Sequence, residues 1–253
     1  MSLTLKKSKS IGLVSLFVLS LFVAMVSTTP AVGAVNDTSS GTITGTETWT
    51  GVMNLDGDLL VAGGAKLIIN AGTTINIPAN RNIQIQGSIC AGDAFCGATQ
   101  ASTGSPIRFI WSEPGAAAPN QTGRCYVTGV FNPDMACGSG IYLASTIDQS
   151  LTRMNHVTID GAYGIPVDID GQGTIKYGAM VFDGASLSVS NPSFRDVNTS
   201  NVLAFGGASP TFDGGTFEVG VDAQGYRGPA IQAFGAGAGL VVMQILNLSL
   251  IHN

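Results

Sequence analysis

From Leu59 to Ile85 the apolar residues come in pairs at i and i+2, Leu59/Val61, Leu67/Ile69, Ile75/Ile77 and Ile83/Ile85, and successive pairs start eight residues apart. A spacing of two is the period of a β-strand, and the pieces between the pairs (Ala62–Ala65, Asn70–Thr73, Pro78–Arg81) are turn material. Each short strand carries one apolar stripe that it cannot bury alone, so the units must stack. Three units make a coil of 24 residues. Leu59, Ile83 and Ile107 are therefore expected on one face of successive coils, with Ile107/Phe109 as the echo of the earlier pairs. The expected fold is all-β, a right-handed parallel β-helix with about 18–24 residues per coil. The six-residue period of a left-handed solenoid does not occur.

Composition agrees with this. Glycine is abundant, with 34 residues, and no amphipathic helical stretch follows the N-terminal segment, which suits short strands joined by tight turns. Lys6, Lys7 and Lys9 precede an uncharged apolar run, Ile11 to Val26, and the small residues Val32-Gly33-Ala34. That order is a secretory signal peptide, residues 1–34, with the mature β-helix domain at 35–253. The chain would then meet a membrane only through that segment, if it is left uncleaved. Cleavage takes three of the 11 basic residues and none of the 16 acidic ones. The mature chain is acidic, which excludes nucleic acid as a partner.

The opening coils resemble the pectate-lyase-like right-handed β-helix superfamily, and within it large secreted surface proteins of bacteria and archaea. The resemblance rests on Val61-Ala62-Gly63-Gly64-Ala65-Lys66-Leu67-Ile68-Ile69-Asn70-Ala71-Gly72-Thr73-Thr74-Ile75, on Gln84-Ile85-Gln86-Gly87-Ser88-Ile89 and on Ser105-Pro106-Ile107-Arg108-Phe109. It covers residues 50 to 110 and implies fold, not activity, because such folds host lyases, hydrolases, adhesins and capping modules. The Asn-Thr-Asp, Asp-Asp, Gly-His-Gly and Arg-Ile-Lys signatures of the superfamily's polygalacturonases are not in this sequence.

Later coils are read by continuity. Met154 to Gly161 and Ser186 to Asn191 read as strands, and the units from Asn191 to Asp196 and from Ser209 to Gly214 look like copies 18 residues apart. Thr42, Thr44, Thr46, Thr48 and Thr50 alternate as if on one face of an entry strand. The period breaks from 111 to 140, an excursion of the kind that often carries function. Four cysteines in an exported chain are expected as two disulfides that staple loops, Cys90 with Cys96 and Cys125 with Cys137.

Within the excursion and beside it, Trp111, Tyr126, Phe131 and Tyr142 are the aromatic candidates for stacking on sugar rings. Asp168 and Asp170, at i and i+2, are the best carboxylate pair for a metal. They would hold Ca2+ only with further oxygen ligands, so no cofactor is expected. Asp160, Asp183 and Asp213 each precede glycine, as turns require. His156, in a strand-like run, reads as structural or solvent-facing. The apolar run Leu240 to Ile251 would leave an open edge, as in a chain truncated before its cap or one that associates with itself there.

The functional expectation is a secreted or cell-surface module without catalysis. It would bind a polysaccharide or a surface protein, or serve as an adhesive or structural element. The alternative is a lyase or glycoside hydrolase acting on acidic polysaccharide.

Overall fold

The computed structural model describes residues 37–38, 40–112, 126–127, 130–131, 138–218, 229–235, 244–246 and 249–251. All of them belong to one compact unit, Ala34–Asn253. The expected signal peptide and the pair Cys125 and Cys137 lie outside the described residues.

The described strands wind as a parallel β-helix with three sides. Side one stacks Gly41–Ile43, Leu59–Val61, Asn82–Ile85, Gly140–Leu143, the later half of Ile175–Asp183, Ser200–Phe205 and Ile231–Ala233. Side two stacks Thr46–Trp49, Lys66–Ile69, Ser88–Ala91, Arg153–Asn155, Ser188–Ser190, Thr211–Asp213 and Gln244–Leu246. Side three stacks Asp37–Thr38, Val52–Asn54, Thr74–Ile77, Ile107–Trp111, Val157–Asp160, Ser193–Arg195, Thr216–Glu218 and Ser249–Ile251. The chain visits the sides in that order in every coil. Crossovers between parallel strands of one sheet are right-handed, the hand expected from the sequence.

The alternating pairs point inward as their period requires. Leu59, Val61, Leu67, Ile69, Ile75, Ile77, Ile83 and Ile85 are all buried, and Leu59 stands opposite Ile83 in register, as Met53 does opposite Ile75. Full burial of each such side chain is worth about 2 kcal/mol. Farther along, the core turns aromatic. Phe194 stacks on Phe217 with centroids 5.0 Å apart, and Phe212 meets Phe182 and Phe217 edge-on at 5.7 and 5.8 Å.

Three expectations are corrected. Ile107 does not follow Ile83. The side-one successor of Ile83 is Ile141, and Phe109 stands beside Ile75 on side three. The insertion 92–106 lies between sides two and three of the third coil, so counting 24 residues lands on the wrong side. The threonine row is divided as well, because Thr42 is on side one while Thr46 and Thr48 are on side two, with Gly45 at the corner. The two proline-phenylalanine units are not stacked copies, since Phe194 belongs to side three and Phe212 to side two.

The corner from side two to side three explains much of the later sequence. In the fourth to sixth coils it is made by His156, Asn191 and Gly214, with φ of 48°, 50° and 70°. Left-handed φ suits glycine, and among other residues asparagine and histidine adopt it most readily. Gly214 has a second reason, because a Cβ there would lie 2.7 Å from Oδ1 of Asn191. Corner side chains therefore stack along the solenoid.

Side one is covered. Tyr142, Val181 and Leu203 point outward in one row, yet all are fully buried. The strand Ile165–Asp168 pairs antiparallel with the first half of Ile175–Asp183, and its Ile165 and Val167 join that row, with Phe205, in a second apolar cluster. Tyr126–Val127 adds to the hairpin beside Asp168 and pairs antiparallel with Val130–Phe131. Among the described residues no helix is long and apolar enough to cross a membrane.

Candidate functional site

Side three stays open to solvent between the fourth and sixth coils. A groove of about 300 Å3 runs there along the corner column. Its floor is a ladder of hydroxyls, Thr158, Ser193 and Thr216, placed in register by the parallel pairing of their strands. Strand spacing fixes the repeat of that ladder at about 4.8 Å. The corner residues His156 and Asn191 flank it, Pro192 and Gly215 line it, and Thr103 and Pro106 of the insertion 92–106 form the far wall.

Arg195 supplies the groove's guanidinium. It is exposed and follows Phe194, whose ring points into the core, so strand alternation sends Arg195 outward. Its register neighbour is Asp160. Burial, and then the nearby Asp196, push the Asp160 carboxyl above the usual aspartate range, while Arg195 opposes them. His156 is placed by its corner backbone, and its Nδ1 lies 3.0 Å from Oδ1 of Asn155. The Asn155 amide in turn donates to the carbonyls of Gly92 and Ala101, at 3.3 and 3.4 Å, which ties the insertion to this corner. Among the described residues the groove offers hydroxyls at a repeating interval, with the amide of Asn191, the imidazole of His156 and the guanidinium of Arg195 beside them. That set can donate to and accept from a polyhydroxylated chain.

The residues singled out from sequence fall elsewhere. Trp111 ends its strand in the core, 1 % exposed, with Nε1 donating to the carbonyl of Arg81 at 2.8 Å. Tyr142 is buried under the hairpin, and its hydroxyl donates to Oδ2 of Asp183 at 2.5 Å. Neither ring presents a face to a sugar, because each packs against its own fold. Tyr126 and Phe131 are register partners in the backbone; their side chains lie outside the described residues.

Asp168 and Asp170 build a turn. The N–H of Gly173 donates to both carboxylate oxygens of Asp168, at 3.1 and 3.0 Å, and Asp170 accepts from the N–H of Gln172 at 2.8 Å. The Thr174 hydroxyl, and then the Gln172 amide, hold the Asp170 carboxyl down to about 2. Asp168 belongs to the hairpin strand and Asp170 to the exposed turn beyond it, so they do not share the strand face on which the i, i+2 pairing relied. Among the described residues no three His, Cys, Asp or Glu side chains converge as metal ligands would. The glycines after Asp160, Asp183 and Asp213 have φ of 73°, 63° and 70°, as turn chemistry predicts.

Of the expected disulfides, Cys90–Cys96 is present. Sequence reading passed over the groove because its members are distant along the chain and ordinary one by one. The one available signal was His156 directly before one side-three strand and Asn191 two residues before the next, legible only once the corner is known. No family model, no curated protein and no solved structure matches this chain.

Proposed function

We propose that the protein is an exported, cell-surface β-helix module of the pectate-lyase-like kind, and that it binds an extended glycan in the side-three groove without cleaving it. The observation that carries this reading is the in-register ladder Thr158, Ser193 and Thr216, flanked by His156, Asn191 and Arg195. A linear glycan laid along the solenoid axis would meet a new hydroxyl at each coil, and Arg195 would hold one sugar oxygen or carboxylate by a charge-assisted bond. The Cys90–Cys96 bridge suits an oxidising compartment.

One observation favours the enzymatic alternative. The raised pKa of Asp160, beside Arg195, is the kind of perturbation that a general acid needs. A hydrolase also needs a second carboxylate across the scissile bond; among the described residues that line the groove there is no Asp or Glu, and Asp160 lies outside that lining.

The test is a panel of neutral and acidic polysaccharides, scored for retention and, with and without calcium, for unsaturated and reducing-end products. Binding without products is expected, with Arg195→Ala weakening it about tenfold, the worth of one charge-assisted hydrogen bond. Turnover of any member would overturn the binding reading in favour of an enzyme. Failure to retain any member would overturn glycan binding altogether.

A further inference from the structure

The outer face of side three carries two columns of side chains. The first is the hydroxyl ladder of the groove, Thr158, Ser193 and Thr216. The second lies two residues farther along each strand, where alternation points side chains the same way. It reads Asp160, Arg195 and Glu218 on successive coils. Asp160 stands opposite Arg195 in register, and the pairing of Phe194 with Phe217 sets Glu218 beside Arg195 on the next coil. Strand spacing puts about 4.8 Å between neighbouring backbones of this column. One guanidinium is thus stacked between two carboxylates, and Asp196 follows it directly in the chain.

This stacking sets the field that a ligand meets at Arg195. Burial is the largest cause of the raised Asp160 carboxyl, Asp196 and Glu218 add to it, and Arg195 and Arg108 oppose them. Three carboxylates and two guanidiniums therefore share the neighbourhood. Arg108 stands in register with Thr158 on the coil before it, outside the groove lining. Arg195 does line the groove. No ion pair among the described residues engages it, the pair formed there being Arg81 with Asp58.

Two classes of glycan would meet this row differently. The hydroxyls of a neutral sugar both donate and accept, so they satisfy a guanidinium and tolerate carboxylates next to it. A uronate carboxylate accepts only. Seated on Arg195, it would gain a charge-assisted bond and at the same time face Asp160, Asp196 and Glu218. Specificity is commonly built by the element that repels the wrong partner.

We propose that the side-three groove selects neutral over acidic glycans, and that Asp160 and Glu218, the stacking neighbours of Arg195, set this choice. The inference rests on the reading of the groove as a glycan site and narrows its class of ligand.

The test compares dissociation constants on the chain expressed from Met1, at pH 7 and low salt. Each polysaccharide that is retained is paired with its charge-changed partner, an acidic one reduced at its carboxyls and a neutral one oxidised at its primary hydroxyls. The neutral member of each pair should bind about tenfold more tightly, two flanking carboxylates contributing about threefold each. Asp160→Asn and Glu218→Gln should each narrow that gap about threefold by strengthening the acidic member, while Asp160→Glu, which keeps the charge, leaves it open. Added salt should narrow the gap as well. Melting temperature shows which variants are folded, and Glu218→Gln carries the test if Asp160→Asn is not. An acidic member bound as tightly as its neutral partner would overturn the proposal and leave glycan binding standing. A gap that neither amide variant moves would take the choice away from these two carboxylates. If nothing is retained, the glycan site itself fails, and this inference with it.

Discussion

Asp183 closes the strand Ile175–Asp183, where burial raises its carboxyl above the ordinary value and the Tyr142 hydroxyl pulls it partly back. Between 3.8 and the raised value the native state holds a proton that the unfolded chain has released. Stability from this group therefore falls as pH rises through that window, and the penalty persists above it. Asp183→Asn keeps an acceptor for Tyr142 and removes the charge. The variant should melt above the parent at pH 7, and the gap should close below pH 3.8, where both states of the parent are protonated. Thermal melts across that range check this, and a parent that is the more stable at pH 7 would refute it. Asp170 acts in the opposite sense. Its lowered carboxyl adds stability above 3.8 that is lost as pH falls toward about 2. At the corner, His156 with φ 48° should tolerate asparagine and resist valine. His156→Val is expected to cost about 1–2 kcal/mol in denaturant titration, because a β-branched side chain is strained at a left-handed φ that histidine and asparagine adopt more readily, and His156→Asn far less. Equal losses would mean that the imidazole, and not the backbone, holds the corner.

The strands from Leu59 to Ile85 were legible because nothing interrupts them and each apolar pair is an inward pair of one side. Legibility failed where an insertion entered. The insertion 92–106 moved Ile107 and Phe109 to side three, and the pieces 111–140 and 161–178 separate Ile83 from Ile141 and Ile141 from Met180 by far more than a coil. Periodicity counts residues, whereas register depends on which sheet accepts a strand, and that is a non-local choice. The candidate site was illegible for the same reason, since Thr158, Ser193 and Thr216 become a ladder only after stacking. Tyr142 misled because an outward position on a strand ordinarily means exposure, and here a hairpin covers it. Two element-scale predictions follow from this packing. Phe212→Ala, in the aromatic core, should cost about 3–5 kcal/mol. Replacing Cys90 and Cys96 by serine should cost about 2 kcal/mol, the loop-closure value for so short a loop, and should loosen the turn Ala94–Cys96 while the flanking strands remain. Hydrogen exchange confined to 92–106 would report that difference, and global loosening would contradict it.

At the scale of the whole molecule each side of the solenoid has its own outer surface. Side one is covered by an apolar hairpin, side two displays the exposed Phe95 of the turn Ala94–Cys96, and side three keeps a polar groove. All three surfaces depend on one thing, the parallel register that turns residues distant in sequence into neighbours along the axis. Thr158 and Thr216 lie two coils apart with Ser193 between them. Dipolar coupling between spin labels at positions 158 and 216 measures that register directly. The stacking predicts a backbone separation of about 10 Å, twice the strand spacing, and hence strong broadening of the spectrum. A pair of labels too distant to broaden would contradict the coil assignment, and with it the groove.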